Sequence, residues 1–303
     1  MRNNLMNEIK LKLPLLSGEV DSIVINEEMI KVGIDRIEGS TKFITKYEIQ
    51  SLGSPYEEKY LKKEYGYIKR YQISNIDVNL IFKDKLHETP YRFFFKISSL
   101  SNTGKDIKNL LHTVPSLLSS RVTRVDINAD FSLNKRLVDI ALQISNKKMF
   151  KKYFNTANST GGSTYGKEDE LIRVYDRTER LDLPVTRLEI QLRNKRLPRK
   201  RTLSHVLRWI LEDDHFKSVQ VCNIITKKDT KSKSNFEFLK ALKKYWGFIQ
   251  IQMNGQTHAK KESLHPKNFH RGLSDFIRIE KSSVSLLKIF QRKMTKLIGG
   301  RYE

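Results

Sequence analysis

The chain has 303 residues, of which 38% are hydrophobic and 10% aromatic, so it can bury a core and is neither collagen-like nor disordered throughout. Lysine and arginine number 57 and aspartate and glutamate 34, which gives a formal charge of +23. A charge of this size raises the electrostatic cost of compaction and favours a polyanionic partner. The length fits one large domain or two ordinary ones.

Cysteine usage and hydropathy indicate the compartment. The lone Cys222 excludes a disulfide framework and a multi-cysteine zinc site, and it fits a reducing compartment. No stretch approaches the ~20 apolar residues of a membrane span, and the N-terminus lacks the apolar run of a secretory signal. We therefore expect a cytoplasmic nucleic-acid-binding protein without a membrane partner. A basic protein of the membrane surface is the weaker alternative, because no basic amphipathic helix with aromatic anchors is evident.

The first hundred residues are predicted to form mainly strands. Alternating apolar and polar residues, or runs of aromatic and β-branched residues, mark four of them, at 9–15, 30–34, 71–82 and 91–97. The polar segment 49–66 contains glycine, serine and proline and predicts a connection. A short helix at 105–113 is expected to end near Pro115, because proline disrupts a helix interior.

The middle of the chain predicts a strand with one apolar face and one acidic face. Between Val125 and Phe131, hydrophobic residues alternate with Asp126, Asn128 and Asp130, whose side chains therefore point to the same side of a sheet. The pattern after this strand predicts a helix, a glycine-rich loop and two strands, at 134–148, 158–164, 171–176 and 185–193.

The last hundred residues predict mostly helices. Apolar stripes at helical spacing place them at 205–212, 234–246 and 283–298. The predicted fold class is α+β, with a central, mainly antiparallel sheet, helices packed on one face and a helical C-terminal region. We expect a sheet-based domain over 1–202, and a mainly helical region over 203–303 that binds DNA or mediates dimers.

The acidic strand face offers candidate metal ligands. Asp126 and Asp130 place carboxylates on one face, and in a chain of +23 such a face suits a hard divalent cation. Glu189 is the lone carboxylate on the polar face of the strand at 185–193, and strand pairing would bring it beside Asp126 as a third ligand. The alternative is a solvent-facing strand whose carboxylates pair with Arg121 or Arg124.

Tyr175 is a candidate nucleophile, since Arg173 and Arg177 flank it on the same side of its predicted strand. Flanking cations stabilise a phenolate and hold a phosphate, as tyrosine-dependent phosphoryl transfer requires. Tyr165 is a second candidate, because a nucleophile in the glycine-rich loop would reach a bound DNA strand. The alternative is an amphipathic strand in which the tyrosine only packs.

Basic residues cluster on and after the strand at 185–193. Arg187 lies on its polar face, and six cations follow within nine residues, namely Arg193, Lys195, Arg196, Arg199, Lys200 and Arg201. This cluster predicts contacts with DNA phosphates, and its alternative is a solvated basic loop. The sequence contains no P-loop, so an ATP-driven helicase is not indicated. Its histidines form no pair at metal-ligand spacing and therefore predict no metal site.

Three segments together resemble a known family. They read Arg-Val-Asp-Ile-Asn-Ala-Asp (124–130), Leu-Ile-Arg-Val-Tyr-Asp-Arg (171–177) and Thr-Arg-Leu-Glu-Ile-Gln-Leu-Arg (186–193). Their order is similar to that in the rolling-circle replication initiators of transfer-type plasmids and of filamentous phages, including the gene II protein. In those families an Arg-x-Asp strand, an Arg-x-Tyr-x-Lys strand and an Arg-x-Glu strand follow one another. The resemblance covers residues 7–215 and is dense over 121–201.

The resemblance implies an enzyme that nicks one DNA strand at a replication origin. Such enzymes form a 5′-phosphotyrosine link and leave a 3′-OH that primes rolling-circle synthesis. The implied cofactor is Mg²⁺ or Mn²⁺, and the expected partners are single-stranded and hairpin origin DNA, a host helicase and a second copy of the chain. Carried over by motif, Tyr175 is the nucleophile and Asp126 and Glu189 are metal ligands, while Asp130 matches the plasmid pattern but not the phage pattern.

Three departures from the family pattern affect these assignments. The plasmid stretch Tyr-x-Gly-Ser-Arg is shortened here to Tyr165-Gly-Lys, which leaves open whether Tyr165 or Tyr175 attacks. The His-hydrophobic-His pair of other initiators is absent, so carboxylates would bind the metal. Arg177 replaces a lysine and removes a proton-transfer role, because arginine does not deprotonate. The alternative functions are a non-catalytic DNA- or RNA-binding protein of the same fold and, third, a structural nucleoprotein component.

Overall fold

The structure is a computed structural model that describes residues 22–61, 66–97, 103–133, 135–144, 149–153, 162–167, 169–177, 184–226 and 277–298. The strand predicted at 9–15 and the helix predicted at 234–246 lie outside these residues. Across the described part of the chain, no helix is long and apolar enough to cross a membrane.

Fourteen strands make up two antiparallel sheets in the described residues. They are β1 (Ser22–Ile23), β2 (Ile30–Ser40), β3 (Glu57–Tyr60), β4 (Tyr67–Ile73), β5 (Ile76–Phe82), β6 (Arg92–Ile97), β7 (Arg121–Phe131), β8 (Leu142–Ile144), β9 (Met149–Tyr153), β10 (Gly162–Lys167), β11 (Glu170–Asp176), β12 (Thr186–Arg193), β13 (Val219–Thr226) and β14 (Ile277–Lys281). Ten form the large sheet in the order β3-β4-β5-β6-β2-β7-β12-β11-β10-β9. In the smaller sheet, β13 pairs with β1, β14 and β8.

Helices pack against the large sheet and join its hydrophobic core. They are α1 (Lys46–Ser51), α2 (Thr103–Thr113), α3 (Lys135–Ala141), α4 (Leu203–Glu212) and α5 (Leu286–Ile298). Helix α2 contacts β4 and β5, α4 contacts β7, and α5 contacts β2. One cluster of buried side chains includes Leu110, Val206 and Phe290 from these helices together with Ile127 from the sheet. The predicted α+β class, with a mainly antiparallel sheet and packed helices, is confirmed.

Strand β7 lies between β2 and β12 and has the two faces that its sequence predicts. Its apolar residues are fully buried in the core, namely Val125, Ile127, Ala129 and Phe131. Because side chains alternate along a strand, Asp126, Asn128 and Asp130 point to the opposite face of the sheet. These three polar side chains are also buried, which the sequence pattern alone does not predict.

Two elements differ from the prediction in the segment 134–167. The helix predicted at 134–148 ends as α3 at Ala141, because Leu142–Ile144 pair with β13 in the smaller sheet. Residues 162–164 of the predicted glycine-rich loop belong to β10, which pairs with β11 on one side and β9 on the other. Backbone pairing with other strands overrides the local helix and loop signals in both places, with the distant β13 in the first and with the adjacent β9 and β11 in the second.

Two further differences lie in the N-terminal half of the sheet. The predicted connection at 49–66 includes the end of α1 and the edge strand β3. The run predicted as a single strand at 71–82 is a hairpin of β4 and β5, and it turns at Ser74 with a φ of 51°. A polar residue with a positive φ is typical of a tight turn, and serine supplies it here.

Substituting Gly39 with alanine is expected to destabilise the sheet. A Cβ at this position of β2 would lie 2.6 Å from the ring of Phe93 and would collide with the backbone oxygen of Arg121. Overpacking of this kind costs about 1–3 kcal/mol, which urea unfolding followed by circular dichroism would detect. Ser40→Ala on the same strand adds no volume and should change the free energy of unfolding by less than about 0.5 kcal/mol. Equal stability of the two variants would contradict the close packing of β2 against β6 and β7.

Candidate active site

The candidate site lies on the polar face of the large sheet, where β7, β12 and β11 run side by side. The strand register places Asp126 opposite Gln191, Asp130 opposite Arg187, Glu189 opposite Arg173, and Arg187 opposite Tyr175. Asp126 and Glu189 are diagonal neighbours on adjacent strands, since Glu189 pairs with Asn128 two residues along β7. The sheet thus brings the predicted ligands Asp126 and Glu189 and the predicted nucleophile Tyr175 to one face.

Glu189 accepts two contacts from the neighbouring strand. The hydroxyl of Tyr175 donates to its Oε2 at 2.7 Å, and a guanidinium nitrogen of Arg173 lies 3.2 Å from its Oε1. Glu189 is 4% exposed and Tyr175 is half-buried, so both contacts are largely shielded from solvent. A nucleophile, a base within hydrogen-bond distance and a third group that orients the base are the recurring parts of nucleophilic catalysis.

The environment of Tyr175 favours the neutral hydroxyl rather than the phenolate. Burial raises the pKa of Tyr175 well above its ordinary value, and the charge of Glu189 raises it further. Arg187, which is opposite on β12, opposes this shift in the pKa. The sequence predicted that Arg173 and Arg177 would stabilise the phenolate, but the net direction in the structure is the reverse. Burial also raises the pKa of Glu189, with Asp126 as the next cause.

Asp126 forms a two-point ion pair with Arg124 on its own strand. The two contacts are Nε to Oδ1 at 2.8 Å and Nη2 to Oδ2 at 2.5 Å, and the remaining guanidinium nitrogen lies 3.2 Å from Glu38 of β2. Burial raises the pKa of Asp126, while Arg124 acts in the opposite direction. The sequence allowed a pairing with arginine as the alternative to a metal site, and Asp126 forms such a pair with Arg124.

Arg187 is buried and bridges two aspartates. Its Nε and Nη2 donate to the two carboxylate oxygens of Asp130 at 2.6 and 2.7 Å, and its Nη1 donates to Asp35 of β2. Arg187 is 2% exposed, so the predicted contact with a DNA phosphate is replaced by a buried ion pair. Asp130, predicted as a metal ligand, holds Arg187 with both oxygens, and Arg177 lies 3.7 Å from it.

Asp35 is a residue of this face that the sequence interpretation missed. The register between β2 and β7 shifts between Ile34 and Arg36, so Asp35 is an extra residue in a β-bulge. Bulges redirect a side chain, and here the carboxylate of Asp35 meets Arg187. The sequence carries a signal for this bulge, because the alternation of apolar residues up to Ile34 resumes out of phase at Ile37.

The two candidate tyrosines lie on opposite faces of the sheet. Tyr165 is on strand β10 rather than in a loop, and it pairs with Ile172 of β11. Ile172 is fully buried in the hydrophobic core, and Tyr165 packs against that core. Tyr175 is instead on the face that carries Glu189. The geometry that joins a tyrosine to a carboxylate therefore belongs to Tyr175.

The basic cluster begins where β12 ends. A short 3₁₀ turn at Asn194–Arg196 follows the strand, and four of the cations are exposed, namely Lys195, Arg196, Arg199 and Lys200. Arg193 and Arg201 are half-buried. Arg196 forms an ion pair of 2.9 Å with Glu170. The exposed members lie at one end of the strand that carries Glu189 and Gln191.

The polar face carries carboxylate oxygens, which are the kind of ligand that hard cations bind. In the described residues, no group of three or more histidine, cysteine, aspartate or glutamate side chains is arranged to hold a metal. Asp126 and Glu189 nevertheless supply carboxylate oxygens, which Mg²⁺ and Mn²⁺ prefer. Each carboxylate has about four lone-pair sites, so an arginine or tyrosine contact leaves room for another ligand interaction.

Comparison with known proteins gives no further assignment. No family model matches the chain, and no curated protein matches it. The resemblance to rolling-circle initiators therefore stays a hypothesis that depends on three short motifs and their order.

Replacing Arg187 with methionine is expected to lower the free energy of unfolding by about 3–5 kcal/mol, because the charges of Asp130 and Asp35 would lose their buried partner. Denaturant unfolding would measure the loss. Arg196→Met is the matched control, since an exposed pair such as Arg196 with Glu170 contributes about 1 kcal/mol at most. If both variants lost the same small amount, Arg187 would not be the structural ion-pair residue that its burial indicates.

Proposed function

We propose that the protein is a metal-dependent enzyme that nicks single-stranded DNA through Tyr175 and initiates rolling-circle replication. The observation that carries the proposal is the 2.7 Å hydrogen bond from the Tyr175 hydroxyl to Glu189, which Arg173 contacts on its other oxygen. The net charge of +23 supports a polyanionic substrate. The order of the three motifs supports the initiator role among tyrosine nucleases.

In this proposal Glu189 acts as the general base. The pKa of Tyr175 is raised, so its hydroxyl stays protonated at neutral pH and needs an acceptor in contact. As the tyrosine oxygen bonds to phosphorus, its proton passes to Glu189 and the bond from phosphorus to the 3′ oxygen breaks. The 3′ oxygen takes up a proton and becomes the primer hydroxyl, while the 5′ phosphate stays on Tyr175.

Arg173 and Arg177 have separate tasks. Arg173 orients Glu189, because its guanidinium contacts the oxygen that does not face the tyrosine. The buried Nη1 of Arg177 forms an ion pair of 3.7 Å with Asp130, so this guanidinium would act on a bound phosphate through its positive charge. A preorganised positive charge stabilises the negative charge that develops on phosphorus-bound oxygens.

Asp126 and Glu189 would hold the Mg²⁺ or Mn²⁺ ion. A bound divalent cation polarises the phosphoryl group and stabilises its transition-state charge. Glu189 would act both as the general base and as a metal ligand. Each of its carboxylate oxygens has two lone pairs, so the oxygen that accepts the tyrosine proton retains a second one. We assign Asp130 to the positioning of Arg187 instead, since it shares Arg187 with Asp35 in one ion-pair network, whereas the charge of Asp126 acts on Glu189.

A non-catalytic nucleic-acid-binding protein of the same fold is the second candidate. It is favoured by the pairing of both Asp126 and Asp130 with arginines, which leaves these carboxylates neutralised without a cation. In that case the buried ion pairs would only stabilise the sheet, and the exposed cations would bind nucleic acid without cleavage.

Tyr175→Phe is expected to abolish covalent attachment to DNA while leaving the fold intact, because it removes the hydroxyl alone. The wild-type chain would be incubated with Mg²⁺ or Mn²⁺ and a pool of single-stranded oligonucleotides labelled at the 3′ end. A label that stays on the protein in denaturing electrophoresis reports the phosphotyrosine link. The 3′ end is labelled because the protein joins the fragment downstream of the cut.

Tyr165→Phe is the matched control for this experiment and should retain the adduct, since Tyr165 packs on the opposite face of the sheet. An adduct that survives in Tyr175→Phe and is lost in Tyr165→Phe would reverse the assignment of the nucleophile. No adduct in the wild-type chain with hairpin or linear substrates would favour the non-catalytic protein.

Neutralising the exposed cations after β12 is expected to weaken the salt dependence of DNA binding. With Lys195, Arg199 and Lys200 changed to alanine, the slope of log K against log [salt] should flatten by about three units at most, because fewer counterions are released. Fluorescence anisotropy at several salt concentrations measures the slope. The control removes three exposed charges from the N-terminal part of the chain, at Lys42 after β2, Lys46 in α1 and Lys59 in β3. Equal flattening in both variants would show that net charge, rather than this cluster, determines binding.

A further inference from the structure

Gln191 carries a buried amide on the polar face of the large sheet. It is 1% exposed, and neither its Nε2 nor its Oε1 has a hydrogen-bond partner among the described residues. Buried polar groups in proteins are nearly always paired, and an exception calls for an unseen water or ion. Asn79 of β5 shows the ordinary case, since its buried amide nitrogen donates to the backbone oxygens of Asp77 and Phe94.

The surroundings of Gln191 indicate what its amide binds. It lies directly opposite Asp126 on β7, where facing residues have Cβ atoms about 4.5–5.5 Å apart. Glu189 precedes it by two residues on the same strand face. The register therefore places the amide beside one carboxylate on each of two strands, without a hydrogen bond to either among the described residues. An amide oxygen is one of the neutral ligands that hard cations bind.

We propose that Gln191 is a ligand of the divalent cation, and that its side-chain oxygen completes a donor set with the carboxylates of Asp126 and Glu189. The inference rests on the cation of the proposed function and adds a residue that neither the motifs nor the resemblance assigned. It also explains how a cation can bind although the described residues contain no group of three acidic, histidine or cysteine ligands. The neutral amide supplies the third protein oxygen without adding charge repulsion between the carboxylates.

The decisive variant is Gln191→Met, because methionine has a similar length but offers no hard oxygen donor. Mn²⁺ titration of the full chain, followed by electron paramagnetic resonance, would measure the affinity without any substrate. We expect the variant to bind Mn²⁺ at least about tenfold more weakly than the wild type. In EDTA its melting temperature should equal or exceed that of the wild type, because an unpaired buried amide has been removed.

Asn79→Leu is the matched control, since it also replaces a buried amide with an apolar side chain. It should melt at a lower temperature, because the amide of Asn79 is hydrogen-bonded, and it should bind Mn²⁺ as the wild type does. The opposite pattern in Gln191→Met, with a lower melting temperature in EDTA and unchanged Mn²⁺ affinity, would overturn the assignment. It would indicate that a buried water, rather than a cation, satisfies the amide.

A second variant keeps the proposal testable if Gln191→Met does not fold. Gln191→Glu retains an oxygen donor but adds a third carboxylate, so its melting temperature in EDTA should fall and Mn²⁺ should raise it by more than in the wild type. An unchanged response to Mn²⁺ would overturn the role of Gln191.

If the wild-type chain binds no Mn²⁺, the cation of the proposed function fails and the assignment of Gln191 fails with it. If the wild type binds Mn²⁺ and the position-191 variants bind it equally well, the assignment of Gln191 alone fails.

Discussion

The burial of charge on one face of an antiparallel sheet is the constraint on which the site depends. Arg187 on β12 holds Asp130 on β7 and Asp35 on β2, so three adjacent strands share one ion-pair network. A buried charge is tolerated only when its partners are placed with good hydrogen-bond geometry. The two contacts between Arg187 and Asp130 therefore fix the register of β7 and β12, and through it the position of every polar side chain on this face.

That register gives Glu189 its neighbours. With Arg187 opposite both Asp130 and Tyr175, Glu189 comes opposite Arg173 and within reach of the tyrosine hydroxyl. A shift by one residue would send the polar side chains into the hydrophobic core, at the cost of every buried ion pair. The ion pair of Arg187 with Asp130 and the hydrogen bond of Tyr175 with Glu189 thus both follow from one strand alignment.

The sequence predicted the strands of this site better than their contacts. The alternation of Val125 to Phe131 identified the acidic face of β7, and the polar residues of β11 and β12 were assigned to the right faces. Which arginine meets which carboxylate depends on the pairing of strands that are distant in sequence, and no local pattern encodes it. Arg187 and Asp130 were consequently given separate roles, whereas they form one ion pair.

Tyr165 was placed in a loop because Gly-Gly-Ser-Thr is a strong local signal, which pairing with β11 overrides.

The raised pKa of Tyr175 is compatible with nucleophilic chemistry when it is considered together with that of Glu189. A tyrosine with its ordinary pKa near ~10 is already protonated at neutral pH, so a base must take the proton in either case. Proton transfer is most efficient when the pKa of the base lies near the working pH. Burial and the charge of Asp126 raise the pKa of Glu189 above its ordinary value, which moves it towards neutral pH. The hydrogen bond from Tyr175 and the positive charge of Arg173 act in the opposite direction on this pKa. Burial therefore makes the phenolate of Tyr175 unfavourable and makes Glu189 a stronger base. Because a hydrogen bond joins the two residues, the two pKa shifts have to be considered together.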